Sequence, residues 1–141
     1  MDMSYQEWSI TGSLAAMLVV YGYYFAAVLR HVGQLEFALG RLIFAVIAIV
    51  VIEIVYHIVL ALETHPEPKD ERDVVIEAKA YRNAYFAYGT GAFLVISAVI
   101  AAGLARIAIT PFLVVNLVLL FMVLAEVVKL VTQLLCYRRG S

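Results

Sequence analysis

The residues best placed for chemistry in this chain are ionisable side chains within otherwise apolar runs. Glu53 and His57 lie one helical turn apart in the stretch IVVIEIVYHIVLALE. Glu126 and Lys129 lie close together in a second apolar run near the C-terminus. A charge inside a bilayer costs roughly 2.5–3.5 kcal/mol on insertion scales, so such residues face a bundle interior, a partner or a water-filled cavity. If the two runs face each other, these four residues form one intramembrane polar cluster.

Three interpretations of this cluster differ in their chemistry. In the first, ion pairs and hydrogen bonds fix the register of the helices, with His57 neutralising Glu53 and Lys129 neutralising Glu126. In the second, the two glutamates, which lie at similar depth, titrate as a proton or ion passes. The third is a metal site, because two carboxylates and a histidine suit iron or zinc. Bundle di-iron sites, however, use Glu-x-x-His on two helices, whereas the spacing here is i,i+4 and occurs once. We favour the first interpretation and predict no metal, no cofactor and no catalytic residue.

The elements that must hold these residues are membrane-spanning helices. Of the 141 residues, 65% are hydrophobic and 15% are charged, whereas soluble domains are about 45–50% apolar. Four continuous apolar runs reach the length of about 20 residues that a helix needs to cross the hydrocarbon core; they are residues 10–29, 42–62, 83–104 and 112–135. Continuous runs exclude a transmembrane barrel, whose strands alternate polar and apolar residues. We therefore predict an all-α four-helix transmembrane bundle, with residues 1–141 as a single membrane domain.

The distribution of positive charge predicts an orientation. Lysines and arginines concentrate in the segment 63–82 and in the C-terminal tail, while the opposite side carries only Arg30, Arg41 and Arg106. By the positive-inside rule, both termini and the segment 63–82 are cytoplasmic, as in a multi-pass protein of a bacterial inner membrane. The net charge of −1 provides no basic field for nucleic acid, so we predict no direct nucleic-acid binding.

The segment 63–82 is the most polar part of the chain. Asp70 is a suitable helix N-cap, and Glu71 and Asp73 follow in the first turn, where carboxylates complement the helix dipole. The pattern predicts one long helix from about Asp70 to Leu104, which extends from the cytoplasm into the third span. Its polar part is either a solvated extension or a docking surface for a cytoplasmic protein or a second copy. The docking candidates are Asp70, Glu71, Arg72, Asp73, Glu77, Lys79 and Arg82.

Two stretches, DERDVVIEAKAYRNAYF and EVVKLVTQLLCYRRG, resemble a family of small uncharacterised bacterial membrane proteins. Those proteins share a four-span plan, a central D-E-R-D-x-x-I-E-x-K-A-x-R segment and a basic C-terminal end. The matching positions are Asp70, Glu71, Arg72, Asp73, Ile76, Glu77, Lys79, Ala80 and Arg82. The resemblance covers about a third of the chain and implies the same fold but no activity. Some members are encoded beside short helix-turn-helix regulators, which implies a regulatory or sequestering role.

The functional expectation follows from the absence of a catalytic motif. The sequence has no nucleotide fingerprint, phosphate loop or catalytic triad pattern. We predict a non-enzymatic membrane protein, a regulatory or accessory subunit that docks through residues 70–82 and forms a homo-oligomer or larger complex. The alternative is a small proton-coupled transporter or channel that uses Glu53 and Glu126. Small residues such as Ala87 and Gly91 predict close helix packing, and Asn116 predicts a hydrogen bond between helices.

Overall fold

The computed structural model describes residues 4–63 and 70–139. These residues form four α-helices and no strand; the helices are α1 (Tyr5–Leu29), α2 (Leu35–Glu63), α3 (Glu71–Leu104) and α4 (Pro111–Arg139). All four are long and apolar enough to cross a membrane. The predicted all-α four-helix transmembrane architecture is therefore confirmed. At a rise of 1.5 Å per residue, even α1 is about 37 Å long, which exceeds the hydrocarbon thickness of about 30 Å.

The N-termini of α1 and α3 are both capped by side chains. Asp70 is the N-cap of α3, as predicted: its carboxylate accepts from the Asp73 amide at 2.8 Å, and the Asp73 carboxylate accepts from the Asp70 amide at 3.1 Å. Ser4 and Glu7 form the equivalent reciprocal pair at α1. Each reciprocal pair is a capping box, which satisfies backbone N–H groups that have no partner within the helix. α3 then continues without interruption to Leu104, so the prediction of one helix through the polar segment and the third span is confirmed.

The C-terminus of α3 is followed by a non-glycine residue, Arg106, in a left-handed backbone conformation. The Ile107 amide donates to the Ala102 carbonyl at 2.8 Å, and the Arg106 amide donates to the Gly103 carbonyl at 3.2 Å. These two bonds form a Schellman motif, whose left-handed position is usually glycine. Here Arg106 occupies it, with φ of 56°, which costs a non-glycine residue roughly 1–2 kcal/mol.

The helices are arranged in the order α2, α1, α4, α3, each antiparallel to its neighbour. The α3–α4 interface is the most extensive, followed by α1–α2 and α1–α4, while α2 touches α4 over a small area. Within residues 70–139 and 4–63, α3 packs only against α4. α2 and α3 therefore occupy the outer edges. We call the end that holds residues 4, 63, 70 and 139 the terminal end, and the end that holds the connections 30–34 and 105–110 the hairpin end.

Two glycines set the closest approaches between helices. A Cβ on Gly91 of α3 would overlap the Phe121 side chain of α4, and a Cβ on Gly12 of α1 would overlap the Tyr56 ring of α2. Gly12 lies in the first predicted span and Gly91 in the third. The predicted role of Gly91 in close packing is therefore confirmed, and it is fulfilled within the chain.

At the hairpin end, a small apolar core and one polar bond join the two middle helices. The Tyr24 hydroxyl donates to the Asn116 side-chain oxygen at 2.9 Å, which confirms the helix–helix hydrogen bond predicted for Asn116. Tyr24 is almost fully buried, and it packs with residues of α1, α2 and α4, namely Val28, Ala38, Ala45 and Phe112.

Candidate functional site

Glu53 of α2 is the centre of a small hydrogen-bonded group near the terminal end. The Ser13 hydroxyl of α1 donates to Glu53 Oε2 at 2.7 Å, and His57 Nε2 lies 3.1 Å from the same oxygen. Ser13 Oγ is also 3.5 Å from His57 Nε2. The three side chains therefore form a triangle that joins α1 to α2. His57, one turn from Glu53, makes a pair within its own helix, whereas Ser13 provides the contact between helices.

This triangle does not have the geometry of a serine hydrolase. A catalytic triad places the hydroxyl at one ring nitrogen of the histidine and the carboxylate at the other. Here Ser13 and Glu53 both approach Nε2 of His57, and the hydroxyl donates to the carboxylate itself. The serine proton is thus directed to the carboxylate and not to the ring, and this bond joins α1 to α2.

Glu126 and Lys129 form the second pair, within α4. Lys129 Nζ donates to Glu126 Oε1. The same ammonium lies 5.2 Å from the centre of the Tyr81 ring of α3, in a cation–π geometry. In the described chain, hydrogen bonds and ion pairs thus divide the four residues of the predicted cluster into a Glu53–His57 pair on α2 and a Glu126–Lys129 pair on α4. The physical reason is that α1 packs against both helices and supplies Ser13 to the first pair.

A polar cavity at the terminal end lies between α1, α3 and α4. Its volume is about 250 Å³, and it is lined by serine, glutamine, tyrosine, carboxylate and lysine side chains. Lys129 lines it from α4, Asp73 and Glu77 from α3, and Ser13 from α1. Ser13 therefore has two roles, because it both lines this cavity and bonds to Glu53 of α2. By contrast, the cavity between α3 and α4 around Gly91 has an almost wholly apolar lining.

The predicted docking segment 70–82 separates into two faces. The face toward α4 makes internal contacts: Asp73 accepts from the Tyr137 hydroxyl at 2.6 Å, and Arg72 donates to the Tyr137 carbonyl at 3.4 Å. Asp70 is occupied as the N-cap, and Glu77 lines the polar cavity. The outward face carries the exposed side chains of Glu71, Val74, Val75, Lys79 and Arg82.

Tyr137, just beyond the predicted span 112–135, fixes the end of α4 to the start of α3. Burial is the main cause that raises the pKa of the Tyr137 phenol, and the hydrogen bond to Asp73 adds to it. The phenol therefore remains protonated and keeps its role as donor to the carboxylate. A second bond, from Asn83 to Thr132 at 3.3 Å, joins the same two helices further into the membrane.

The metal interpretation has no support from the geometry of residues 4–63 and 70–139. That part of the chain contains no group of three or more His, Cys, Asp or Glu side chains that could hold a metal ion. Glu53 and His57 supply two potential ligands, and the third side chain bonded to them is the Ser13 hydroxyl. His65 and Lys69 lie outside the described residues.

Two residues of the site were missed by the sequence interpretation. Neither Ser13 nor Tyr137 was among the predicted site residues. The predicted spans give no signal for Ser13: its match in depth to Glu53 follows from the observed bounds, since it lies eight residues after the start of α1 and Glu53 lies ten residues before the end of α2. The signal for Tyr137 is its position in the basic ending CYRRG, which must lie beside the acidic start of the antiparallel α3.

The fold and composition define a multi-pass integral membrane protein with four spanning helices. A comparison with models of known protein families, with curated proteins and with solved structures finds no match. The membership suggested by the D-E-R-D segment remains a prediction.

Proposed function

We propose that this chain is a non-enzymatic membrane subunit that acts through protein contacts, with the outward face of residues 71–82 as its docking surface. The proposal includes the predicted orientation, with both termini in the cytoplasm of a bacterium, and a regulatory or accessory role. The observation that supports it is the exposure of Val74 and Val75, at 58% and 66%, on a helical extension that precedes the predicted third span. A purely solvated extension needs no apolar side chains there, whereas a docking helix does.

The charges on this face favour a partner other than a second copy. Glu71 lies at one end of the face and Arg82 at the other, three helical turns apart, with the valines between them. Copies of one chain in one membrane share an orientation, so two such faces side by side would place Glu71 beside Glu71 and Arg82 beside Arg82. Like charges in contact are unfavourable. The face therefore suits a helix of another cytoplasmic protein whose basic end meets Glu71. The homo-oligomer predicted from sequence would use a different face.

The test is a charge exchange that leaves net charge and internal contacts unchanged. The double variant Glu71→Lys, Arg82→Glu reverses the pattern on the outward face only. A photo-reactive amino acid at position 75 should crosslink to one protein in the parent, and the exchange should abolish that product. The matched control is the same probe at Ile43, an exposed position on α2 near the hairpin end. A crosslinking pattern at position 75 that the exchange does not change would refute the docking surface.

A second candidate is proton or ion handling through Glu53 and Glu126. The specific observation in its favour is Ser13, which connects Glu53 to a polar cavity at the terminal end. In proteoliposomes, Glu53→Gln or Glu126→Gln should abolish a pH-dependent flux while circular dichroism stays unchanged. A parent protein with no such flux ends this candidate and leaves the docking proposal untouched.

A further inference from the structure

We propose that a groove between α1 and α2 binds one anionic phospholipid, with the lipid phosphate on Arg41 and an acyl chain along the two helices. The groove lies toward the hairpin end, so it is separate from the docking surface on α3 and does not depend on the proposed function. The inference rests on the lining of the groove, on its length and on the contacts of Arg41.

The groove combines apolar walls with a cation at one end. Its volume is about 260 Å³, and its lining comes from α1 and α2. Val19 on one wall and Phe44 on the other are exposed at 71% and 60%, so the groove is open to lipid. Among the described residues that line it, Arg41 alone is charged, and it directly precedes the apolar run 42–62. The guanidinium therefore lies where the hydrocarbon region meets the head groups.

The length of the groove matches one half of a bilayer. Its lining on α2 extends from Arg41 to Ile52. These eleven residues span about 16 Å at a rise of 1.5 Å each. Half of the hydrocarbon core is about 15 Å thick. An acyl chain whose head group lies at Arg41 would thus follow the groove over the full depth of one leaflet.

The Arg41 guanidinium is held in place and still has free donors. Its Nη1 donates to the Tyr23 hydroxyl at 3.2 Å. Its Cζ lies 5.2 Å from the centre of the Phe37 ring and 5.8 Å from that of Tyr23, and His31 stacks on Phe37 at 4.1 Å. A guanidinium has five N–H donors, so the bond to Tyr23 leaves four. Phosphate oxygens accept two parallel bonds from such a group.

The charges around Arg41 favour an anionic lipid over a zwitterionic one. Within residues 4–63 and 70–139, no carboxylate lies at ion-pair distance from Arg41. Glu36, five residues earlier on α2, is exposed and points about 140° away around the helix. A phosphate would supply the missing anion. A zwitterionic lipid would also bring an ammonium group, for which the described lining has no carboxylate.

The alternative is that Arg41 extends to the head groups without selecting any lipid, as arginines at membrane surfaces commonly do. Arg30 is the matched residue for that behaviour, because it is exposed at the same end of the bundle and does not line the groove. General attraction between charges would treat Arg30 and Arg41 alike, whereas a lipid in the groove depends on Arg41.

The first arm of the test titrates the full chain in detergent with phosphatidylglycerol or phosphatidylcholine of identical acyl chains, followed by native mass spectrometry. Phosphatidylglycerol should fill a single saturable site about tenfold or more tightly than phosphatidylcholine. Arg41→Gln should remove that preference, because charge-assisted bonds to the phosphate are lost, while Arg30→Gln should bind as the parent does. Equal binding of the two lipids by the parent, or equal losses in the two variants, would overturn the proposal.

The second arm tests the acyl chain and decides the matter if Arg41→Gln fails to fold. Ala48→Phe fills the groove and keeps Arg41, so it should abolish the tight phosphatidylglycerol site. Ala61→Phe is the matched control, since Ala61 is exposed on α2 outside the groove, and it should leave binding unchanged. Parent-like binding by Ala48→Phe refutes the acyl site. Displacement of the lipid by soluble glycerol phosphate would assign Arg41 to a free phosphate and also overturn the proposal.

Discussion

Replacement of Gly91 by alanine should separate the two most closely packed helices. The added Cβ would overlap Cβ, Cγ and Cδ1 of Phe121. Rotation of the phenyl ring cannot remove this overlap, because the Cβ of Phe121 is attached directly to the α4 backbone. The helices must therefore move apart along the most extensive interface of the molecule.

The magnitude follows from two opposing effects. Overpacking a close contact typically costs about 1–3 kcal/mol, whereas alanine in place of a helical glycine gains roughly 0.5–1 kcal/mol. Gly89, two residues away on the same helix, has nothing within 4 Å of an added Cβ. Gly89→Ala therefore shows the gain alone. The two variants should differ in their free energy of unfolding by about 1–3 kcal/mol, with Gly91→Ala the less stable.

The assay is reversible unfolding by sodium dodecyl sulfate in mixed micelles, followed by circular dichroism. In a Phe121→Ala background, Gly91→Ala should cost less free energy of unfolding than it does in the parent. The overlapping ring atoms are then gone, and only the Cβ of residue 121 remains. If Gly91→Ala and Gly89→Ala unfold at the same detergent fraction, α3 and α4 do not approach as described and the reasoning is wrong.

Three further predictions use the same unfolding measurement. Ser13→Ala should destabilise the protein by about 0.6 kcal/mol, and by no more than about 1.7 kcal/mol, which is the range for a hydrogen bond between membrane helices. This loss of stability should disappear in a Glu53→Leu background. Equal losses in both backgrounds would show that the bond is absent. Asp70→Ala should cost about 0.5–2 kcal/mol as the N-cap of α3 is lost, whereas Glu71→Ala should cost little; equal effects would contradict the cap. Tyr24→Phe should destabilise by about 0.6 kcal/mol through the lost α1–α4 bond, and an unchanged midpoint would count against that contact.

The spans and the long third helix were predictable because hydrophobic length and end-capping are local signals. Asp70 and Asp73 identify the start of α3 from four consecutive residues, and the apolar run to Leu104 does the rest. Asn116 was predictable as a packing residue because a lone amide in a span needs a partner. Its partner, Tyr24, lies 92 residues away in sequence, and no local pattern connects the two.

The polar site was less predictable because it depends on which helices are neighbours. The two glutamates suggested direct contact between α2 and α4. Local sequence patterns cannot show that α1 packs against both of these helices. The predicted first span begins at residue 10, which places Ser13 close to the membrane surface. The helix begins at Tyr5, and Ser13 lies at the level of Glu53, to which it donates a hydrogen bond.

The open order α2, α1, α4, α3 has a consequence for the way the chain is made. α3 packs against α4 alone in the described structure, and the α1–α2 hairpin is joined to the rest mainly through α4. Proteins are synthesised from the N-terminus, so α3 enters the bilayer before α4, and until α4 follows, the surface around Gly91 faces lipid. The 29 residues of α4 then supply the contacts to α3 and to the α1–α2 hairpin at once. Packing of these four helices into one bundle therefore depends on the arrival of α4.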